Sequence, residues 1–167
     1  KDGIVTRLNN GVAGLLKKAK VRTIAGWGVM RDGKTCVGES PEGPQMVRAE
    51  HVILAPGSEA VELSFLPFGG IVMSSAGILS LTEVPQRLAV VGAGYIGLEM
   101  GFAFRKMGSQ VTVVEALDRI LPQYDADLTK PVLKSLQSHG FKVMLGAKAL
   151  GLSENGNALR VEISAGE

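Results

Sequence analysis

Three glycines between residues 92 and 97 have a spacing that could hold a phosphate group. Gly92, Gly94 and Gly97 form the pattern G-x-G-x-x-G within "LAVVGAGYIGLEMG". In dinucleotide-binding proteins the first glycine permits a sharp turn, the second lets the backbone approach a pyrophosphate, and the third lets a helix pack on the sheet. The anion then lies at the helix N-terminus, where free N–H groups and the helix dipole favour it. A tight turn without a ligand is the alternative.

An acidic residue follows at the place where such a site needs one. Short glycine motifs arise by chance, but here Glu115 ends "VTVVE", about 20 residues beyond the motif, as a dinucleotide site requires. Its carboxylate can accept hydrogen bonds from the hydroxyls of an adenosine ribose. A 2′-phosphate at about 4 Å would be repelled by about 4 kcal/mol at an effective dielectric of 20. The sequence therefore predicts NAD rather than NADP, with a solvated strand end as the alternative; Arg119 is interpreted as solvated.

The residues around the motif predict the elements that would position it. Apolar runs that alternate with helical periodicity indicate a βαβαβ unit of a doubly wound parallel sheet, and hence an α/β fold. Gly108 is expected to end the first helix, and Asp125 or Asp127 to begin the second, with Pro131 near its first turn. The predicted ranges are strand 88–91, helix 94–107, strand 111–115, a helix ending near residue 138, and strand 141–145.

The flanking segments predict a different architecture. Before the motif we expect a helix over 11–19, capped by Asn9 or Asn10, and then an antiparallel meander. "HVILAPGS" suits a strand buried on both faces, "SSAGILSL" one helical turn, and the final residues a hairpin that turns at Asn155–Gly156. The segment 56–86 holds several prolines and is the expected boundary between two structural units. The meander strands are predicted at 21–25, 35–39 and 46–48.

Composition excludes several classes of function. A net charge of +2, without a dense basic stretch, argues against nucleic-acid binding. No apolar run approaches the roughly 20 residues that span a bilayer, and no signal peptide is evident. Cys36 is the single cysteine, so no disulfide can form within the chain. We therefore expect a reducing, cytoplasmic location and no membrane partner.

The motifs, taken in order, resemble one family. "VVGAGYIGLEMGFAFRKMGSQVTVVEALDRILPQYD", preceded by "HVILAPGSEAVELSFLP" and "SSAGILSLTEVPQRL", resembles the pyridine nucleotide-disulfide oxidoreductases. Within that family the resemblance is to the members that oxidise dihydrolipoamide on the lipoyl domain of a 2-oxo acid dehydrogenase complex, in the branched-chain form. It implies FAD and NAD as cofactors and a homodimer. Residues 1–66 would be the later part of an FAD-binding domain, and 67–167 an NAD-binding domain without its last strand.

The resemblance also implies roles for individual residues. Tyr95 would border the nicotinamide pocket and Glu99 would hydrogen-bond the carboxamide, although both are equally first-turn helix residues. Trp27, in "IAGWGVM", would approach the flavin's adenine or else be a core aromatic; Pro56 stands where the family usually has Thr. The NAD set is Gly92, Ala93, Gly94, Tyr95, Ile96, Gly97, Glu99, Glu115 and Ala116, and the FAD set is Trp27, Gly28, Ala55, Pro56 and Gly57.

The family's remaining chemical groups are expected outside this sequence. Its FAD-binding glycine motif and redox cysteine pair should precede Lys1, and its catalytic His-Glu pair should follow Glu167. Cys36 is therefore interpreted as inert, and neither His51 nor His139 as the catalytic base. No catalytic residue and no metal site is predicted in the chain. A sister disulfide reductase and a non-catalytic nucleotide-binding module stay open as alternatives.

Overall fold

The structure, a computed structural model, describes residues 1–41, 43–153 and 155–163. The chain divides into two compact units: unit one is Lys1–Gly57, and unit two comprises the residues from Ser58 onward. None of the described helices is both long and apolar enough to cross a membrane. In chain order the elements are α1 (Asp2–Lys18), β1 (Trp27–Met30), β2 (Thr35–Ser40), β3 (Gly43–Arg48), α2 (Ser75–Ile78), β4 (Arg87–Val91), α3 (Tyr95–Lys106), β5 (Gln110–Val114), α4 (Ala126–Ser138), β6 (Lys142–Met144), β7 (Ala147–Leu152) and β8 (Leu159–Ile163).

The first helix is longer than the sequence predicts. α1 runs from Asp2 to Lys18, so the expected start at Asn9 or Asn10 is wrong. The apolar spacing of three and four residues extends back through Leu8 to Ile4, and Asp2 in the first turn complements the helix dipole. Helical periodicity therefore outweighs the local capping tendency of the two asparagines.

Unit one also holds the antiparallel meander that the sequence predicts. β1 pairs with β2, and β2 with β3, in one three-stranded sheet. The predicted first strand, 21–25, is wrong, because the tight turn 31–34 fixes the register and selects Trp27–Met30 as the partner of β2. Asp32 stabilises this turn: hydrogen bonds from the backbone of Lys34 and then from Thr35 hold the pKa of its carboxyl below the ordinary value.

The apolar run His51–Ala55 is not the buried strand that the sequence predicts. It is irregular and exposed, with Ile53 at 92 %. A strand buried on both faces needs neighbours on each side, and no described strand pairs with this segment. His51 is consequently exposed as well.

Unit two contains the predicted βαβαβ unit. β4, β5 and β6 form a parallel sheet in that order, with Leu88 opposite Val111 and Val113 opposite Val143. α3 contacts β4 and β5, and α4 contacts β6. The α/β fold class is thus confirmed, as is the single helical turn α2, which Ser74 caps. The buried core between these elements consists of Ala93, Leu98, Val111, Val113, Ile120, Leu136 and Phe141.

The end of α3 and the start of α4 lie where the sequence predicts them. After α3, Gly108 adopts a φ of +108°, its N–H donates to the carbonyl of Arg105, and the N–H of Ser109 donates to that of Phe104. These two hydrogen bonds, with a glycine in the left-handed conformation just after the helix, form the Schellman motif that commonly ends helices. Asp125 precedes α4 as expected, but Pro131 lies in the second turn rather than the first. Proline has no N–H, so the helix lacks one backbone hydrogen bond at Pro131. Because Pro131 is exposed, water can satisfy the carbonyl that is left without a donor, and the helix continues.

The predicted terminal hairpin is confirmed, with a longer connection than a two-residue turn. β7 and β8 pair antiparallel across residues 153–158, of which Glu154 lies outside the described residues. Gly156 has a φ of +68° and donates its N–H to Ser153. Leu159 and Val161 are half-buried and alternate with exposed neighbours, as the sequence pattern indicates.

Candidate functional site

The chain leaves β4 through a sharp turn at Gly92. Its φ of +96° lies in the left-handed region, which side chains rarely adopt. Its N–H donates to the carbonyl of Val114 at 2.8 Å, so the turn starts at the carboxyl end of the parallel sheet. The chain then passes directly into α3, whose N-cap is Gly94.

Gly94 faces open space at the start of α3. Its φ is an ordinary −73°, yet a Cβ built on it would meet no atom within 4 Å. The first intrahelical bond is donated by Leu98 to Gly94 at 3.0 Å. Among the described residues, no acceptor is bonded to the three preceding N–H groups, those of Tyr95, Ile96 and Gly97. Three donors at a helix N-terminus are therefore available to an anion.

Gly97 has the opposite surroundings. A Cβ there would lie 2.7 Å from the carbonyl oxygen of Gly92 and 2.9 Å from Cγ1 of Val90. Both distances are too short for any side chain, and the first contact is to backbone. The third glycine therefore sets how closely α3 approaches β4 and the turn.

Glu115 follows β5 and points into this turn. The residue is 9 % exposed. Its Oε2 accepts the N–H of Ala93 at 2.7 Å, and its Oε1 accepts the N–H of Leu117 at 2.8 Å. Sequence reasoning missed both backbone partners, because the motif assigns this carboxylate to a ligand. A carboxylate offers about four acceptor sites, so two of these remain for further donors.

The loop after Glu115 closes over the same turn. The N–H of Leu121 donates to the carbonyl of Ala93 at 3.0 Å, and Leu121 adopts a φ of +49°, unusual for a residue with a side chain. Ala93 itself is completely buried. Arg119 is exposed, as the sequence predicts, and donates to the carbonyl of Pro122 at 2.8 Å.

An open, largely apolar cleft of about 630 Å³ adjoins Glu115. The strand β7 forms one wall, which sequence reasoning also missed. The N–H of Ala147 donates to the carbonyl of Glu115 at 2.9 Å, and the N–H of Gly146 donates to that of Leu117, so the start of the hairpin is fixed beside the carboxylate. No local motif signals this; it follows from the chain's path after the third strand. The lining residues are Leu63, Phe65, Val91, Gly92, Val114, Glu115, Ala116, Ala147, Lys148, Ala149 and Leu150.

Tyr95 and Glu99 lie one turn apart on α3. Residues four positions apart share a helix face, and both of these are exposed. Ile96, which follows Tyr95 and also belongs to the predicted set, is exposed too. The structure therefore places these three at the accessible start of α3.

The residues predicted to approach FAD lie in unit one. Trp27 is 82 % exposed on β1, so no described residue of this chain buries it. A Cβ at Gly28 would be 3.0 Å from Sγ of Cys36, so the backbone is close to β2 there. Ala55, Pro56 and Gly57 are exposed in an irregular segment, with Gly57 at a φ of +83°.

The other residues of catalytic type are dispersed. Cys36 is a half-buried free cysteine on β2. His139 ends α4, with its Nδ1 2.8 Å from the carbonyl of Ser135 and its ring edge-on to Phe102 at 5.5 Å. Among the described residues, no group of three or more His, Cys, Asp or Glu could hold a metal ion.

Comparison with known proteins agrees with this geometry. Residues 3–167 match the pyridine nucleotide-disulphide oxidoreductase family. A dihydrolipoyl dehydrogenase of Pseudomonas aeruginosa is 52 % identical over the whole chain, which covers 36 % of that protein. A leghemoglobin reductase of Glycine max is 39 % identical over 99 % of the chain, which covers 32 % of it.

One solved structure matches the fold over nearly the whole chain. LpdA from Mycobacterium tuberculosis superposes with a TM-score of 0.82 over 99 % of this chain and 38 % of its own, at 24 % identity. The chain therefore spans about a third of the length of the relatives that it matches. On the match to nearly all its residues, the chain belongs to the pyridine nucleotide-disulphide oxidoreductase family.

Proposed function

We propose that the start of α3, the glycine turn and Glu115 bind NAD. The observation that carries this proposal is the row of three available N–H groups at Tyr95, Ile96 and Gly97, next to a buried carboxylate. The pyrophosphate accepts from these donors, and the open space at Gly94 lets it approach the backbone. The adenosine ribose hydroxyls donate to the free acceptor sites of Glu115.

The size and lining of the cleft support an adenosine at this end. Ligand pockets are mostly apolar, with a few polar groups that fix orientation, and span about 300–1,000 Å³. The cleft of about 630 Å³ falls in that range, and among the described residues that line it only Glu115 and Lys148 are ionisable. Ala116 follows Glu115 on the wall of the cleft. The N–H of Ala93 already donates to Glu115 and is not available to the ligand, so Ala93 belongs to the site only through its position in the glycine turn.

The exposed face of α3 is proposed to hold the nicotinamide end. Tyr95 borders the ring and Glu99 accepts from the carboxamide, with Ile96 between them. Their support is position: all three follow the glycine turn directly and are exposed. Glu115 favours NAD over NADP, because a 2′-phosphate beside its carboxylate meets about 4 kcal/mol of repulsion.

For the protein as a whole we propose dihydrolipoamide dehydrogenase activity. FAD and NAD, when bound, supply the redox chemistry, and the protein supplies binding and orientation. Residues 1–66 then form the later part of an FAD-binding domain, with Trp27, Gly28 and 55–57 approaching the flavin nucleotide, and 67–167 the NAD-binding domain. The proposed partner is the lipoyl domain of a 2-oxo acid dehydrogenase complex, the protein is a homodimer, and its location is the cytoplasm. The support is the relative with 52 % identity.

A sister reductase is the second candidate. One relative at 39 % identity is a leghemoglobin reductase, so nucleotide binding can serve a different final acceptor. The described site is proposed from its fit to a dinucleotide, which both activities would use, and it therefore favours neither acceptor. A nucleotide-binding module without turnover is a third class, which a lack of any activity in the intact protein would favour.

The direct test is made on the intact purified protein. We expect a bound-flavin absorbance band and NAD-dependent oxidation of dihydrolipoamide. Gly94→Val puts a branched side chain in the space for the pyrophosphate, so NADH affinity should collapse while the flavin band stays. A variant that titrates with NADH like wild type contradicts the NAD site. A protein with flavin but no dihydrolipoamide activity contradicts only the proposed substrate.

A further inference from the structure

We infer that Glu115 is a positioning residue for the glycine turn, and that its main effect on NAD binding acts through Ala93 rather than through the ribose. This inference rests on the proposed NAD site. It assigns to the carboxylate a role before any ligand arrives, since both its oxygens are already bonded to backbone N–H groups. The ribose contact then adds to a site that Glu115 has shaped.

Ala93 is held from both sides of the turn. Its N–H donates to Glu115 at 2.7 Å, and its carbonyl accepts from Leu121 at 3.0 Å. Leu121 keeps its positive φ while packing against the buried core. A residue in this sparsely populated region persists only where its surroundings over-determine it. The turn, Glu115 and the loop that follows therefore form one hydrogen-bonded unit.

The two donors to Glu115 differ in what can replace the carboxylate. Ala93 is completely buried, so water cannot take over as acceptor, whereas Leu117 is half exposed and its N–H can turn to solvent. A glutamine at 115 can direct its carbonyl oxygen to Ala93 and its amide outward. A methionine has a similar length and no comparable acceptor. The pair Glu115→Gln and Glu115→Met therefore separates the bond to Ala93 from side-chain volume.

Loss of that bond reaches the phosphate site because Ala93 joins Gly92 to Gly94. A displaced Ala93 moves the N-cap and the donors of Tyr95 to Gly97. Every dinucleotide with a pyrophosphate is then weakened, whether or not its adenosine carries ribose hydroxyls. A contact made only to the ribose predicts a loss confined to ligands that carry those hydroxyls.

The test compares two ligands on three variants of the intact protein. NADH and its analogue lacking the adenosine 2′- and 3′-hydroxyls are titrated by fluorescence into wild type, Glu115→Met and Glu115→Gln. We expect Glu115→Met to weaken both ligands by about tenfold or more, as for a buried donor left unpaired, and the further loss that NADH shows through its ribose contact to be smaller than this shared loss. Glu115→Gln should bind the analogue within about threefold of wild type. Glu162→Met, the matched control at an exposed residue of β8 that lines neither cleft, should bind both normally.

Stability without ligand gives a second readout. We expect the melting temperature of Glu115→Met to lie below those of Glu115→Gln and Glu162→Met, and failure of Glu115→Met alone to fold is the extreme of that effect. A Glu115→Met protein with wild-type melting and an affinity loss for NADH alone overturns the inference and leaves the NAD site intact. If wild type binds neither ligand, the NAD site itself is wrong and the inference fails with it.

Discussion

Replacing Gly97 with alanine should damage the fold at the site, whereas replacing Gly94 with serine should spare it. The new Cβ at Gly97 would lie 2.7 Å from the carbonyl oxygen of Gly92 and 2.9 Å from Val90 Cγ1. Overpacking costs about 1–3 kcal/mol, and alanine returns up to about 1 kcal/mol in helix propensity. Because one of two contacts below 3.0 Å is to backbone, we take the upper part of the range, a net loss of about 1–2 kcal/mol.

Gly94→Ser is the matched comparison, since a Cβ there meets nothing within 4 Å. Serine suits an N-cap at least as well as glycine, so the free energy of unfolding should stay within about 0.5 kcal/mol of wild type. NADH affinity should nevertheless fall by about tenfold or more, for which about 1.4 kcal/mol suffices, because the side chain fills the space for the pyrophosphate.

Urea unfolding and NADH titration of the intact protein measure the two effects separately. Gly97→Ala should shift the unfolding midpoint, and Gly94→Ser should shift only the dissociation constant. A Gly97→Ala protein as stable as wild type refutes the close approach of α3 to the turn. A Gly94→Ser protein with unchanged NADH affinity refutes the location of the phosphate site.

Two further predictions concern parts of the chain away from the nucleotide. Arg105 donates to the carbonyls of His139 and Ser109, so Arg105→Met should lower the free energy of unfolding by about 1 kcal/mol without changing NADH affinity; equal stability in urea would show that water replaces both bonds. The pKa of Asp32 is lower in the folded protein than in the unfolded chain. Ionised Asp32 therefore stabilises the fold at pH values above its unfolded-state pKa, and this stabilisation is lost as the pH falls through its folded-state pKa. In Asp32→Ala the melting temperature should therefore fall less steeply as the pH is lowered than it does in wild type. An unchanged dependence of melting temperature on pH contradicts the stabilising role of Asp32 in the turn.

The parallel sheet and its helices can be predicted because the sequence patterns that indicate them are local and agree with one another. The apolar strand, the glycine turn, the helical periodicity and Gly108 all lie within a short stretch, and each describes the same βαβ unit. The third strand and the hairpin follow from the same alternation of apolar and polar residues. The structure departs from these predictions by a residue or two at element ends, as at β5.

The flanking segments depend on information that is not local. Whether "HVILAPGS" is a buried strand depends on neighbouring strands, and the described residues supply none. The choice of Trp27–Met30 over 21–25 depends on the turn register, which composition does not reveal. Trp27 is apolar in type, yet no neighbour among the described residues buries it, so its burial is decided by non-local packing that residue type does not reveal.

The sequence predicts which residues form the site but not the hydrogen bonds that they make with one another. The spacing of the glycines and the place of Glu115 indicate the chemistry, because both follow from what a dinucleotide needs. The bonds from Ala93 and Leu117 to the carboxylate and the wall formed by β7 follow only from the folded backbone. A motif identifies a candidate ligand contact, and the structure adds the contacts that hold it in place.

The central claim is that Glu115 and the glycine turn form a site for NAD, and cofactor preference tests it most directly. Steady-state kinetics of the intact protein with NAD and with NADP give the ratio of the two kcat/KM values. We predict a preference for NAD of at least about tenfold, since about 1.4 kcal/mol of the expected repulsion is sufficient. Equal efficiency with both cofactors would contradict the assignment of Glu115 to the adenosine ribose.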